Sequence, residues 1–467
     1  MKFLYHSLVA AALGLSAAAD AWTITSSETA KPSTSQGEHL DLVKVWTISG
    51  DQSLSSLEVH HAGPTFVDYD EKAGRSRSAF DSAVALNAMG EREAARVLIS
   101  GNSRDLIESV EVVEVNTDGI KIRYKNEGVN ARGYLLTQVI VGEKQVLSHV
   151  SASGSGTVVF RENVLVQDSS DKSLDFKLSG SGDVLLATNS PVSLGSLGLL
   201  LSGSGDVQIQ TPSLTLAEEL QLKLSGSGDI SIIADHINVK DKLETHIAGS
   251  GTVLVEGKES VVTKNLKTVV SGSGDVSFSK QGSCEKQEVL LSGSGDVTTG
   301  AIACVDTEVR ITGSGDVLVQ TSNDLTVSPS WSGSVKYVNA RPQKIELTRH
   351  LYGSLTPDKV VKQASKNRFT TPGAMKVPAF KPAYIVIHRR SSWFWSEPSI
   401  DVTFGDDDDY SNYGGWKMPT QNLAVFAAQT PHTLAGIAFV GFGLAAVGMA
   451  GYKAHQRRVR EQYAPLL

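Results

Sequence analysis

A Gly-Ser-Gly triplet recurs through the middle of this 467-residue chain at a nearly fixed interval. Successive copies are separated by 26, 23, 23, 23, 23, 21 and 20 residues, and a degenerate Ser-Gly-Ser follows 20 residues later. Self-similarity at this period is typical of an array of stacked units, which more often forms a surface or a spacer than an enzyme. The copies begin at Gly154, Gly180, Gly203, Gly226, Gly249, Gly272, Gly293 and Gly313, and the degenerate copy contains Gly333.

The copy that starts at Asp206 contains three short runs in which apolar and polar residues alternate. These runs are Val207–Ile209, Leu214–Leu216 and Leu220–Leu224. Alternation with a period of two indicates half-buried strands, and the copies contain no helix-period run of useful length. The sequence therefore predicts an all-β parallel β-helix (β-solenoid) with 20–23-residue coils. Its inward Leu, Val and Ile side chains would form one continuous core.

The glycines of the repeat are expected to have two roles. A sharp corner needs backbone angles that are open mainly to glycine, and it also needs close approach between coils stacked ~4.8 Å apart. The middle serines should then form a ladder of small hydroxyl groups along the corner. These serines are Ser155, Ser181, Ser204, Ser227, Ser250, Ser273, Ser294 and Ser314.

An aspartate follows most of the triplets and should lie on one edge of the solenoid. Each carboxylate could cap its own turn, or the stacked carboxylates could bind calcium. Thr157 and Thr252 occupy the same position in two copies, and a hydroxyl is a poor substitute for a carboxylate ligand, which favours turn capping. No metal or other cofactor is therefore predicted. The aspartates are Asp183, Asp206, Asp229, Asp275, Asp296 and Asp316.

The two cysteines lie at nearly equivalent positions on consecutive coils. Cys284 follows Gly272 by twelve residues, and Cys304 follows Gly293 by eleven. Stacking of the coils would bring their Cα atoms within disulfide range, and a secreted chain would permit the bond. We expect a disulfide between the coils, the alternative being two unrelated buried thiols.

The two ends of the chain predict a type I single-pass membrane protein. Residues 1–21 have the charged start, apolar stretch and small-residue cleavage site of a signal peptide, and 22–40 would form a flexible Ser/Thr-rich arm. Residues 431–453 are apolar enough to form a transmembrane helix. The basic residues that follow place 454–467 in the cytosol and the N-terminal ectodomain outside the cell membrane. The net charge of −7 gives no basic footprint for nucleic acid.

Residues 41–150 are interpreted as a β-rich entry segment that caps the first coil, before solenoid repeats over 151–340. Val110–Val115 and Ile120–Tyr124 flank an Asp-Gly turn, which predicts a hairpin. One amphipathic stretch, about 78–97, has the pattern of a helix.

This order of features resembles the auto-transporter adhesin head domain family (head GIN domain) over about residues 41–340. The matching pieces are Val97–Gly101, Leu106–Ile107, Ile120–Tyr124 and Val139–Val141, which lead into the first Ser-Gly-Ser-Gly at Ser153–Gly156. The resemblance implies a parallel β-helix with an adhesive or surface role and supplies no catalytic residues. The added C-terminal membrane helix departs from the family pattern.

Residues 341–430 are expected to form a separate membrane-proximal region. Its aromatic trio Trp393–Trp395 could fill a small core, bind a glycan or touch lipid, and the acidic run 406–409 is interpreted as a solvated loop, with calcium or a basic partner as the alternative. In the tail, Tyr463 and Leu466 resemble a tyrosine-based sorting signal read by clathrin adaptors. Such four-residue matches also arise by chance.

The sequence favours a non-catalytic role in adhesion or ligand display, with a cell-surface glycan or protein as the ligand. One alternative is a carbohydrate-active β-helix enzyme, which would need two carboxylates converging on a glycosidic bond, whereas the carboxylates here repeat evenly. The other is a recycling sorting receptor. His60 and His61 have no spaced metal-binding partner and are interpreted as an exposed strand end.

Overall fold

A computed structural model describes residues 22–33, 37–50, 52–71, 92–125, 130–328, 332–348, 356–373, 376–390 and 399–404. These residues lie within one compact unit, and they are almost entirely β-strand and turn. The predicted signal peptide, membrane helix and cytosolic tail lie outside the described residues. Among the described residues, no helix has the length and apolar character needed to cross a bilayer.

The elements before the repeats are short strands and one short helix. They are β1 (Thr23–Ser26), β2 (Leu42–Ser49), β3 (Ser56–His60), β4 (Thr65–Tyr69), β5 (Glu93–Gly101), α1 (Arg104–Glu108), β6 (Val110–Val115), β7 (Gly119–Tyr124), β8 (Ala131–Val141), β9 (His149–Ala152) and β10 (Val158–Phe160).

The repeats form strands of 4 to 18 residues. They are β11 (Asp168–Leu178), β12 (Val184–Ala187), β13 (Val192–Leu201), β14 (Val207–Leu224), β15 (Ile230–Ile247), β16 (Val253–Val270), β17 (Val276–Leu291), β18 (Val297–Ile311), β19 (Asp316–Thr321), β20 (Asp324–Ser328), β21 (Ser334–Tyr337) and β22 (Lys344–Leu347). The longest are β14 to β18, at 15–18 residues. The remaining elements are α2 (Pro357–Val360), β23 (Val361–Gln363), β24 (Ala383–Arg390) and β25 (Ser399–Phe404).

Each repeat pairs in parallel with the next, at the register that the sequence period sets. Val207 lies opposite Ile230, Ile230 opposite Val253, and Val253 opposite Val276. Inward residues of these strands are almost fully buried and belong to one continuous core cluster that extends into the N-terminal segment. These observations confirm the predicted β-solenoid.

The N-terminal segment adds coils to the solenoid in an order that differs from the order of the chain. β3 pairs in parallel with β7 on one side and β9 on the other. In the same way, β4 lies between β8 and β10. Residues 56–69 are therefore inserted between two coils that come later in the sequence. The first Gly-Ser-Gly corner stacks on His61–Gly63.

Strands β2, β5 and β8 form an antiparallel sheet beside these first coils. The predicted β6–β7 hairpin is confirmed. The predicted helix is wrong over 93–97, where the chain forms β5. This strand pairs on both edges and is buried as a central strand, so its apolar residues form a nearly continuous run. Residues 78–91 lie outside the described residues. The predicted flexible arm is wrong over β1, which alternates and pairs with β2.

The solenoid extends past the predicted boundary at residue 340, because β22 and β23 pair in parallel with β20 and β21. The chain then returns along the outside of the coils in residues 364–373 and 376–382, which are extended and which we call the strap. The Thr370 amide bonds Ser277, and the Gly373 carbonyl accepts from Gln208. At its end, β24 pairs antiparallel with β8 in the N-terminal sheet.

Candidate functional site

The corners that carry the repeated triplets stack on one another in a column, which we call the glycine ridge. It comprises 154–157, 180–183, 203–206, 226–229, 249–252, 272–275, 293–296 and 313–316. A Cβ atom at Gly203 would collide with the carbonyl oxygen of Gly180, and one at Gly228 with that of Gly205. Glycine is required here because backbones approach closely.

The other role expected for these glycines is wrong. The glycines with a positive φ among the described residues are Gly37, Gly63 and Gly133, all outside the ridge. The ridge corners therefore do not use the left-handed conformation. Instead, their backbones bond directly to one another: the amide of Ser227 donates to the carbonyl of Gly203 at 3.0 Å, and that of Ser250 to Gly226 at 3.0 Å.

The ridge aspartates form a column of hydrogen bonds that runs from coil to coil. The amide of Asp206 donates to Oδ1 of Asp183 at 2.9 Å, and the amide of Asp229 donates to Oδ1 of Asp206 at 2.8 Å. The pattern continues from Thr252 to Asp229 at 2.7 Å. Each of these carboxylates thus caps the next coil rather than its own turn, because coil stacking brings the equivalent amide into reach. The other such pairs are Asp296 to Asp275, Asp316 to Asp296, and Ser334 to Asp316.

The environment of the column changes along its length. Burial and the neighbouring Asp183 and Asp229 raise the pKa of Asp206, although the amide of Asp229 opposes this. At the far end, burial would raise the pKa of Asp316, but hydrogen bonds from Ser334 and Lys336 outweigh it and the pKa is lowered. The central carboxylates therefore repel one another, and the last one is neutralised by a lysine.

The middle serines point away from the core. Ser204, Ser227, Ser250, Ser273, Ser294 and Ser314 are exposed, and Ser155 and Ser181 are half-buried. Ser294 donates to the hydroxyl of Ser273 at 3.2 Å. The ridge therefore presents rows of hydroxyl groups and carboxylates, without an aromatic or large apolar side chain in any of its eight corners.

The two cysteines lie directly opposite each other on β17 and β18, with their Cα atoms 4.4 Å apart and their sulfur atoms at bonding distance. Both are buried in the core. The sequence period thus placed them correctly at disulfide distance.

The interpretation of His60 and His61 as an exposed strand end is wrong, because residues 56–69 are covered on both sides. His61 is 2% exposed, and its Nε2 lies 2.6 Å from the Thr137 hydroxyl. Its Nδ1 is buried and has no hydrogen-bond partner among the residues that the structure describes. Burial, aided by His60, lowers the pKa of His61 to about 4. Burial and Lys121 likewise lower the pKa of His60 to about 4. Sequence periodicity gave no signal for this insertion.

A charged cluster on an outer face of the solenoid was also missed. Glu244 lies 2.8 Å from His246, 3.7 Å from Lys267 and close to Lys242. Burial would raise the pKa of Glu244, but hydrogen bonds from Lys242 and His246 lower it to about 2. Aligning the repeats would have found the cluster, since Glu244, Lys267 and Glu288 share one phase on adjacent coils and Lys242 shares its phase with Glu219.

Several predicted features fall elsewhere. Tyr463 and Leu466, the aromatic trio 393–395 and the acidic run 406–409 lie outside the described residues. Within the part of the chain that is described, no group of three or more His, Cys, Asp or Glu side chains is arranged to hold a metal ion.

Comparison with known proteins finds a family model that matches part of the repeats. Residues 236–340 match the model described as "Putative auto-transporter adhesin, head GIN domain". The match confirms the family resemblance of the repeats. No curated protein matches the chain.

Three crystal structures are similar to the chain at low identity. One is a "putative adhesin" from Parabacteroides distasonis, 15% identical, covering 69% of this chain and 97% of its own, with a TM-score of 0.31. A second is a "putative adhesin" from Parabacteroides merdae, 14% identical, covering 66% and 96%, with a TM-score of 0.32. The third is a "putative lipid binding protein" from P. distasonis, 16% identical, covering 69% and 97%, with a TM-score of 0.29.

Proposed function

We propose that this protein is a non-catalytic cell-surface β-solenoid that binds a ligand along its glycine ridge. The observation that carries the proposal is the uniformity of the ridge. Its eight corners have the same backbone pairing and nearly the same side chains over the whole stack, whereas the other faces vary from coil to coil. The family match of residues 236–340 to adhesin head domains supports an adhesive role.

The chemistry of the ridge favours a polar ligand with its own repeat. Exposed hydroxyl groups donate and accept hydrogen bonds. One oxygen of Asp183, Asp206, Asp229, Asp275 and Asp296 is bonded to the neighbouring coil, which leaves the other able to accept from a ligand. In Asp316, Lys336 already bonds the second oxygen. Rows of such groups at coil spacing match a polysaccharide or an extended peptide that presents hydroxyl or amide groups at regular intervals. Individually weak contacts would add along the ridge.

The test is a glycan array with soluble residues 22–420 and a ridge variant that replaces Ser204, Ser227 and Ser250 with lysine. We expect binding without product release, and loss of binding in the variant. The matched control replaces Asn238, Val262 and Ser283, which are exposed on another face, with lysine and should retain binding. Release of a shortened glycan would instead favour a carbohydrate-active enzyme. Equal loss of glycan binding in both variants would show that the ridge is not the binding surface.

The placement at the cell surface rests on the ends of the chain. We propose that residues 1–21 direct secretion, that 431–453 span the membrane, and that Tyr463 and Leu466 recruit a clathrin adaptor. Tyr463→Ala should raise the surface level of the protein by slowing its internalisation. An unchanged rate of uptake would count against the sorting signal.

A further inference from the structure

The strap differs from the rest of the surface in its composition. Between residues 364 and 382 it carries Lys366, Arg368, Lys376 and Lys381 and no acidic residue, in a chain whose net charge is −7. Three prolines interrupt it and prevent it from continuing as a paired strand. Among the described residues, none of the four cations makes an ion pair. The strap is therefore a basic extended segment that is not part of any sheet.

The segment 365–371 is accessible along its length. Every one of its residues is exposed, and the large apolar side chain of Phe369 is 41% exposed. Within the described part of the chain, the hydrogen bond from Thr370 N–H to Ser277 Oγ, at 2.8 Å, ties this segment to the coils, and the Asn367 side chain lies beside Gly300. With so few contacts, a local detachment costs little free energy. Exposed segments of this kind are the preferred sites of proteolytic cleavage.

Basic residues on the coils are placed differently. Lys240 and Lys242 have the same spacing as Lys366 and Arg368, but they belong to β15, which pairs with β14 and β16 on its two edges. A protease could reach that backbone only after several coils separate. The strap and β15 therefore present the same side-chain chemistry on backbones of very different stability.

The chain beyond the strap is held independently. β24 pairs with β8 over Ala383–Ile387 and with β25 over Ile385–Arg390. Ile385 and Ile387 are 0% and 1% exposed and belong to the main core. Both cysteines precede the strap, so no disulfide would join the two sides of a break within it. Retention would depend on strand pairing, on these buried isoleucines and on the rest of the strap, where Phe380 packs edge-on against Phe66 and Gly373 accepts a hydrogen bond from Gln208.

We propose that Lys366–Arg368 is a cleavage site for a protease specific for basic residues, and that the two resulting chains stay associated through β24. Water adds across the peptide bond between Arg368 and Phe369, leaving a carboxylate on Arg368 and an amino group on Phe369. The N-terminal product contains the whole solenoid, and the C-terminal product contains β24, β25 and the predicted membrane helix. The inference goes beyond the proposed adhesive function and does not depend on the ligand.

The experiment is limited digestion of the full chain, purified in detergent with a C-terminal affinity tag, using trypsin as the probe. Mass spectrometry would identify the new amino termini. We expect termini at Asn367 or Phe369 to appear at least about tenfold faster than termini after Lys240 or Lys242, in line with the free-energy difference between local and global opening. Cleavage after Lys240 or Lys242 at a similar rate would overturn the accessibility argument.

Association is measured on the same digest. The tagged C-terminal fragment should capture the solenoid fragment under native conditions and release it in SDS. Release under native conditions would overturn the role of β24. The double variant K366Q/R368Q should lose both termini while its thermal melting is unchanged. After digestion, Ile387→Ala should capture less of the solenoid fragment than the parent protein, and equal capture would contradict retention by β24.

Discussion

The repeat array and the N-terminal coils use the same parallel stacking but differ in how the chain reaches it. In the array, each coil lies on the one before it in sequence, so glycine, serine and aspartate columns arise from a simple period. In the N-terminal part, residues 56–69 lie between β7–β8 and β9–β10, which come later in the chain. The array is thus encoded by local repetition, and the N-terminal coils by specific long-range contacts.

The two regions therefore differ in where they hold the groups whose substitution or protonation would destabilise the fold. The ridge distributes small identical contacts over eight corners, and each is a backbone contact or a short hydrogen bond. The inserted coil instead concentrates polar groups in a buried space, where His61 faces the Thr137 hydroxyl and the Tyr124 ring, and where we find no carboxylate among its described contacts. Substitutions and pH changes should separate the two regions.

The largest effect is expected for Gly228→Ala. The added Cβ would meet the backbone of Gly205 and Ser204, which cannot move without separating two coils. We expect a loss of at least about 3 kcal/mol in the free energy of unfolding, at the upper end of the usual cost of overpacking. Gly373→Ala in the strap is the control, because a Cβ there meets nothing within 4 Å. Equal urea denaturation midpoints for the two variants would contradict the close-approach role.

Removal of the cysteine pair should have the next largest effect. The predicted bond between Cys284 and Cys304 closes a sequence separation of 20 residues, for which the loss of unfolded-state entropy corresponds to about 3 kcal/mol. The variant C284A/C304A should unfold at a correspondingly lower denaturant concentration. Peptide mapping without reductant provides the direct check, and two free thiols would refute the bond.

Acid should destabilise the inserted coil before the array. The folded-state pKa of His61 is about 4 and its reference value is 6.5. The contribution of the neutral His61 to the free energy of unfolding is therefore fully present above pH 6.5. It is lost as pH falls toward 4. Between pH 7 and pH 5 this corresponds to about 2 kcal/mol. His61→Gln should reduce the dependence of the unfolding free energy on pH, and His388→Gln, on an exposed position of β24, should leave it unchanged. An unaltered dependence of the unfolding free energy on pH in His61→Gln would contradict this role of His61.

The smallest effect is expected for a single ridge aspartate. Asp206→Ala removes the acceptor for the amide of Asp229, which should cost about 1 kcal/mol. Asp206→Asn retains an acceptor oxygen and should cost less, as judged by thermal melting. If a chelator lowers the melting temperature of the parent protein as much as either substitution does, and calcium restores it, the carboxylates bind metal instead.

The repeat period was sufficient to predict the solenoid, the alignment of the aspartates and the opposition of Cys284 and Cys304. Each depends on residues one coil apart, a separation that the sequence displays directly. It could not predict the insertion of 56–69 or the path of the strap. Gln208 and Gly373 are 165 residues apart, and no local pattern links them. β5 was misread because a strand buried on both edges and a buried helix have similar apolar runs.

The stacking order itself is most directly tested by distances along the glycine ridge. Spin labels at Ser155 and Ser273 would be five coils apart, and labels at Ser155 and Ser314 would be seven coils apart. At ~4.8 Å per coil, pulsed electron–electron double resonance should give separations of ~24 and ~34 Å. Narrow distributions in this ratio would support the column. Separations that do not increase with the number of intervening coils would contradict it.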